Sequence, residues 1–211
     1  MSQRPDPPLG LRARNKLEKL ARIRRAAHRL FIAQGFSGTT IEQIAKEADV
    51  AKGTVFLYVR DKQELLVSVL IDTIQTIAGQ RFASLPIGPV LDQLVHVFAG
   101  FIAEYAQYPQ LARLFIKEVL FLEGDRLDDY QRLNTDFFGQ LATLLQAGQA
   151  RGELRQDLDL PMACLNLFGL YAVVLVQWLE DPAPAVPIGV AMLKQSLAML
   201  IAGMAEKGTA G

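Results

Sequence analysis

The chain has 211 residues, 51% of them hydrophobic, enough for one sizeable core or two small ones. Its single cysteine, Cys164, excludes an internal disulfide and suits a reducing cytoplasm. Lys/Arg and Asp/Glu balance at 22 each, which by itself argues against a nucleic-acid partner, but residues 1–62 carry 13 basic and 6 acidic side chains, net +7, and the remainder is net −7. A basic head on an acidic body is the asymmetry expected when one end meets a polyanion.

In chain order, residues 1–14 read as a disordered basic arm, and MSQRPDPPLG is too polar and Pro-rich for a signal peptide. A basic run follows: Arg12, Arg14, Lys16, Lys19, Arg22, Arg24, Arg25 and Arg29. Its stripe of Leu20, Ile23, Ala27 and Leu30/Phe31 predicts a packed helix whose basic face approaches phosphate. Gly35 ends it as a C′ residue would. Ile41, Ile44, Ala45 and Ala48 then fall on one face of a short helix. Thr39 or Thr40 is its N-cap, with Glu42 spaced from Thr39 as a capping box requires. Asp49 suits a tight left-handed turn. A second short helix runs from about Lys52 to Tyr58, with Val55 and Val59 inward, and Asp61 with Glu64 marks another capping box. Two short helices joined by a tight turn form a helix-turn-helix, whose second helix enters the major groove.

AKGTVFLYVRDKQELL resembles the signature of the TetR family of bacterial transcriptional regulators, and AAHRLFIAQGFSGTTIEQIAKEADV resembles the first two helices of the same domain. The likeness covers about Ala21 to Val69. It implies that Thr40, Lys52, Gly53, Thr54, Tyr58 and Lys62 contact an operator. Phe56 and Arg60, on the same stretch, complete the expected DNA-contacting set. Physical chemistry agrees: Lys52 puts a cation at a helix start, Gly53 lets backbone approach DNA closely at a cost of roughly 1 kcal/mol in helix propensity, and Thr54 and Tyr58 carry hydroxyls. The chain departs from the family pattern at Phe56 (usually Tyr), Val59 (usually Phe), Ala51 (often a capping Ser) and Asp49 (usually Gly).

A long helix follows Asp61 and ends near Leu85-Pro86. Gly88-Pro89 opens the next, with Leu91, Leu94, Phe98, Phe101 and Tyr105 as its stripe. Pro109 starts another that carries Leu111, Phe115, Val119 and Leu122. Gly124-Asp125 separates this from a helix bearing Tyr130, Leu133, Phe137, Leu141 and Leu144. GELRQDLDLP is a loop, Pro161 begins a helix apolar all round, DPAPAVP is a loop, and a last helix runs from about Ile188 to Met204. The expected fold is all-α with about nine helices. It comprises a three-helix DNA-binding domain (15–62, motif about 40–59), a helical effector-binding and dimerisation domain (63–205) and a disordered tail (206–211).

Polar atoms on apolar stripes point to an effector pocket. The candidates are Phe101, Tyr105, Phe115, Glu118, Asn134, Phe138 and Trp178; the competing reading is ordinary core, with Glu118 paired to Arg113 or another arginine. The stretches 160–179 and 188–204 carry few charges and are the expected homodimer interface rather than membrane spans. Two histidines (His28, His96) and one cysteine make neither a metal set nor a catalytic triad, and no Gly-rich phosphate loop occurs, so no enzyme chemistry, cofactor or metal is expected. The reading is a cytoplasmic, ligand-responsive repressor that binds a double-stranded DNA operator and is released by a small apolar or aromatic effector. Its rivals are an architectural or division-linked DNA-binding protein of the same fold without an effector, and a small-molecule-binding protein or enzyme with a vestigial DNA domain.

Overall fold

The computed structural model describes residues 10–119 and 126–205. Residues 1–9 of the expected disordered arm (1–14), Leu122, the Gly124-Asp125 break and the tail at 206–211 lie outside the described residues, as do the side chains of 11–13 and 126–134, Asn134 among them; residues 11–14, read as arm, instead open the first helix. The described residues form α1 (Leu11–Gly38), α2 (Ile41–Glu47), α3 (Lys52–Val55), α4 (Lys62–Ala83), α5 (Val90–Gln107), α6 (Pro109–Val119), α7 (Arg126–Ala150), α8 (Leu160–Trp178) and α9 (Val186–Met204). They include no β-strand, only one antiparallel bridge between Leu154 and Ala205. The chain divides into two compact units between Val69 and Leu70.

In the first unit α1 packs on α2 and α2 on α3. Ile23, Ala26, Ala27 and Phe31 of α1 close over Ile44, Ala45, Val55 and Val59, all buried as the periodicity requires. Gly35, at φ 74, breaks the helical path of α1 near its end. A side chain would be strained there, which is why glycine stands at that position.

In the second unit α5 is the hub, packed against α6, α7 and α9, while α8 lies against α7 and α9. Leu94, Phe98 and Ile102 of α5 meet Leu141 and Leu145 of α7, Leu167 of α8, and Leu193 and Leu197 of α9 in a fully or almost fully buried core. Two glycines permit close approach. A Cβ on Gly148 would stand 2.4 Å from Val90 Cγ2, and one on Gly189 would stand 2.8 Å from the Trp178 indole nitrogen.

Polar groups pin the helix ends. Asp159 caps α8 by accepting from Met162 N at 3.0 Å. Glu153, in the loop after α7, accepts from Val90 N at 2.7 Å and so caps α5 from another part of the chain. Trp178 at the end of α8 donates from its indole nitrogen to Ala185 O at 2.9 Å, just before α9. Arg155 N donates to Met204 O at 3.1 Å, which ties down the other end of α9. Cys164 is buried, and burial pushes its thiol up to about 11.

Several boundaries differ from the sequence reading. α3 stops at Val55, and residues 56–58 continue as turns whose N–H groups reach back three residues, Leu57 to Thr54 and Tyr58 to Val55. α9 begins at Val186, since Pro187 is tolerated in a first turn where no N–H is required. α8 and α9 are only partly covered within the described residues. Only 33% and 17% of their most apolar windows are buried, and Met162, Leu165, Val173 and Val176 of α8 and Ile188 and Met199 of α9 stand exposed.

A candidate DNA interface and a candidate effector site

α2 starts with a capping box, but between Thr40 and Gln43 rather than Thr39 and Glu42. Thr40 Oγ accepts from Gln43 N at 3.2 Å, and Gln43 Oε1 accepts from Thr40 N at 2.8 Å. Thr39 is fully buried; its hydroxyl donates to Gly35 O at 2.8 Å. The turn after α2 has Asp49 at φ 51, the left-handed conformation expected of it. Arg22 locks that turn. Its guanidinium donates to Ala48 O at 3.0 and 2.5 Å and to Asp49 O at 2.6 Å, satisfying carbonyls that α2 leaves open at its C-terminus. Arg29 pairs with Glu47 at 2.7 Å. Two arginines of the basic run thus hold the helix-turn-helix in shape.

The expected contact residues lie together on this motif. Thr40, Lys52, Gly53, Phe56 and Arg60 are exposed, and Thr54, Tyr58 and Lys62 are half-buried. Lys52 pairs with Glu42 across the motif, and the hydrogen bond from Lys52 is the main reason the Glu42 carboxyl is held below its ordinary value. Lys62 turns inward and donates to Phe36 O and Thr39 O, each at 2.7 Å. The second capping box is shifted by one residue. Asp61 Oδ1 accepts from Glu64 N at 2.7 Å, but the Glu64 carboxylate reaches past Asp61 to Arg60 N at 2.7 Å. At Gly53 an added Cβ would meet nothing within 4 Å, and its φ is not left-handed. Neither internal packing nor backbone strain therefore requires glycine there. Leu57, which the sequence reading did not single out, is 77% exposed on the same motif. Its signal was the turn after Val55, which swings it off the apolar face.

The expected effector residues separate into groups. Phe101 joins a cluster of seven rings drawn from α4, α5, α7 and α8: Phe82, Phe98, Phe101, Phe137, Phe138, Phe168 and Tyr171. Phe138 contacts Phe168 at 5.4 Å and Phe137 at 6.0 Å. Tyr105 and Phe115 pair at 6.4 Å. Glu118 is half-buried; Arg113, its expected partner, is spent instead on Leu179 O and Asp181 O at 2.6 Å each. Trp178 has no ring contact among the described residues and belongs to the α8–α9 junction. The cluster centres on Phe137, which meets Phe82, Phe98, Phe101, Phe138 and Phe168, and Tyr171 of α8 stacks on Phe98 at 4.6 Å. Tyr171 was missed because α8 is apolar all round and offers no periodicity to place Phe168 and Tyr171.

Two family models cover most of this chain. Bacterial regulatory proteins of the tetR family match residues 23–69, and the tetracyclin repressor-like C-terminal domain matches residues 88–181. The chain belongs to the TetR family.

As a TetR-family protein it is a DNA-binding transcription regulator with an N-terminal helix-turn-helix and a C-terminal helical domain. It is 28% identical over 165 residues to the HTH-type transcriptional repressor NicS of Pseudomonas putida, covering 76% of this chain and 77% of that one. It is 26% identical over 172 residues to the fatty acid metabolism regulator protein of Bacillus subtilis, covering 80% and 87%. Among solved structures it is similar to Thermus thermophilus FadR, a TetR-family transcriptional repressor in complex with lauroyl-CoA. That likeness has a TM-score of 0.68 at 25% identity and covers 91% of this chain and 98% of that one. These likenesses run through both units, so the helical domain, which the motif alone left unassigned, has relatives of its own.

Proposed function

We propose that this TetR-family regulator is a repressor that binds a two-fold operator as a homodimer and is released by an apolar effector, an acyl thioester. The observation that carries DNA recognition is Gly53. It is exposed at the second residue of α3, and neither packing nor backbone conformation accounts for the glycine. Close approach of a DNA backbone does account for it. Around it Lys52, Thr54, Tyr58 and Arg60 supply donors for phosphates, and Phe56 and Leu57 offer apolar surface of the kind that meets a thymine methyl. One such motif reads too few bases alone, so dimerisation is part of the proposal. The exposed apolar faces of α8 and α9 support it, since a monomer rarely leaves so much apolar surface in one place.

The effector class rests on the relatives: a fatty acid metabolism regulator and a repressor bound to lauroyl-CoA. The seven-ring cluster offers an apolar body the right surroundings. Release requires the effector to bind the DNA-free conformation better, and DNA then weakens effector binding by the same factor.

The test is fluorescence anisotropy of the protein against short duplexes tiled across the DNA upstream of its own gene, at two salt concentrations. The expected result is tight binding to one tile that weakens steeply with salt, and release on adding lauroyl-CoA. Equal weak binding to every tile would favour an architectural role without an effector. No binding at low salt would overturn the regulator reading for this motif.

A further inference from the structure

Tyr171 is 5% exposed, and its hydroxyl oxygen is buried with no hydrogen-bond partner among the described residues. An unpaired hydroxyl at this depth carries a desolvation penalty that Phe in the same place would not incur. The surroundings make the orphan harder to explain as core. Phe98 stacks on the Tyr171 ring at 4.6 Å, and Phe101 and Phe168 flank it at 6.0 and 6.2 Å. An internal water needs two to four polar partners, and the rings that touch Tyr171, those of Phe98, Phe101 and Phe168, offer none. A ligand oxygen needs only one donor.

We propose that the Tyr171 hydroxyl donates a hydrogen bond to a neutral carbonyl oxygen on the effector, whose apolar body lies among the rings of α5, α7 and α8. The assignment rests on the effector reading above and names the atom by which such an effector is held. Desolvation, with a smaller contribution from Tyr105, holds the Tyr171 phenol well above its ordinary value, so it is a donor at all physiological pH. Among the described residues no cation stands over a ring that touches Tyr171, so a carboxylate set against its hydroxyl would be left without a partner there. A thioester, ester, amide or ketone satisfies the phenol without that cost, whereas a free fatty acid anion does not. Phe138 and Phe168, both half-buried, form the outer edge of the cluster through which the apolar body would enter.

The experiment is isothermal titration of the full chain and of Tyr171→Phe with two matched pairs of probes. The first pair is lauroyl-CoA and S-dodecyl-CoA, the thioether with CH2 in place of the carbonyl. The second is benzophenone and diphenylmethane. The expected result is that the unaltered protein prefers the carbonyl member of a pair by about tenfold, and that Tyr171→Phe loses this preference by weakening only the carbonyl member. The thermal midpoint of the effector-free variant should be equal or higher, which a merely structural hydroxyl would not predict. If neither CoA compound binds but benzophenone is preferred to diphenylmethane, the acyl-thioester reading falls and the Tyr171 assignment stands. Equal binding of both members of each pair by the unaltered protein overturns the assignment, as does an equal loss of both in the variant, or no binding of any of the four.

Discussion

Lys62 holds Phe36 in two ways: its ammonium donates to the Phe36 carbonyl at 2.7 Å and sits 4.3 Å from the centre of the Phe36 ring. The same ammonium also donates to Thr39 O at 2.7 Å, so the start of α4 fastens the end of α1 and the start of the helix-turn-helix. Two of its three donors are spent inside the protein, and one remains for a phosphate. Lys62→Met should leave Thr39 O without this donor and Phe36 O with only the Thr39 N–H, and lower the unfolding free energy by about 1–3 kcal/mol. Urea unfolding of the DNA-free protein measures this. An unchanged midpoint would mean that the lysine serves DNA alone.

Gly53 separates stability from binding. Gly53→Ala places a methyl where nothing stands within 4 Å. Reduced freedom of the unfolded chain should then stabilise the protein by roughly 0.4–1 kcal/mol. The same methyl should obstruct the DNA backbone and weaken operator affinity at least about tenfold, or roughly 1.4 kcal/mol. A gain in stability with unchanged affinity would remove Gly53 from the interface.

If Lys52 meets phosphate as proposed, Glu42 should compete with DNA for it. The two side chains pair in the free protein, both more than half exposed, so the pair itself adds little to stability. Glu42→Gln should free the ammonium and remove a negative charge facing phosphate. Operator affinity is expected to rise several-fold at low salt, with the advantage shrinking as salt screens it. Anisotropy at two salt concentrations reads both effects, and weaker binding by the variant would show that Glu42 is needed for the shape of the motif.

Glu153 gives the helical domain an acid-sensitive cap. Burial alone would raise its carboxyl, but the bond from Val90 N and the Arg151 ion pair outweigh that and hold it below its ordinary value. A carboxyl lowered on folding stabilises the fold at pH above its unfolded value, near 4.5, and that contribution is lost as pH falls through the lowered folded value. Glu153→Gln should therefore lower the thermal midpoint at pH 7, and its effect should shrink as pH falls below the ordinary carboxylate range and through the lowered folded value. A variant equally destabilised across that fall in pH would place the loss in packing instead of charge.

What could be read in advance follows the range of the interactions. The helix-turn-helix is written largely in local terms: Ile41, Ile44, Ala45 and Ala48 recur at helical spacing, Thr40 caps within three residues, and Asp49 suits the left-handed turn it takes. Lys62 reaches 26 residues back and Lys52 ten, and no local pattern announces either partner. Arg22 was visible as charge on a basic helix, yet its role is to close a turn 26 residues on. In the helical domain the stripes of α5 and α7 marked Phe98, Phe101 and Phe137 as inward-facing. Tyr171 and Phe168 stayed hidden, since a helix apolar on every side does not say which side meets the core.

Trp178 is the chain's single tryptophan, buried against Gly189 and bonded to Ala185 O. The protein therefore carries one built-in fluorophore at one known address. Its emission should be blue and poorly quenched by iodide while the α8–α9 junction is closed. A shift to the red on dilution would report subunits parting at those helices, and a shift on effector addition at constant concentration would report motion within them. The signal needs no label and no variant, and tyrosines elsewhere are avoided by exciting at the red edge of the indole band.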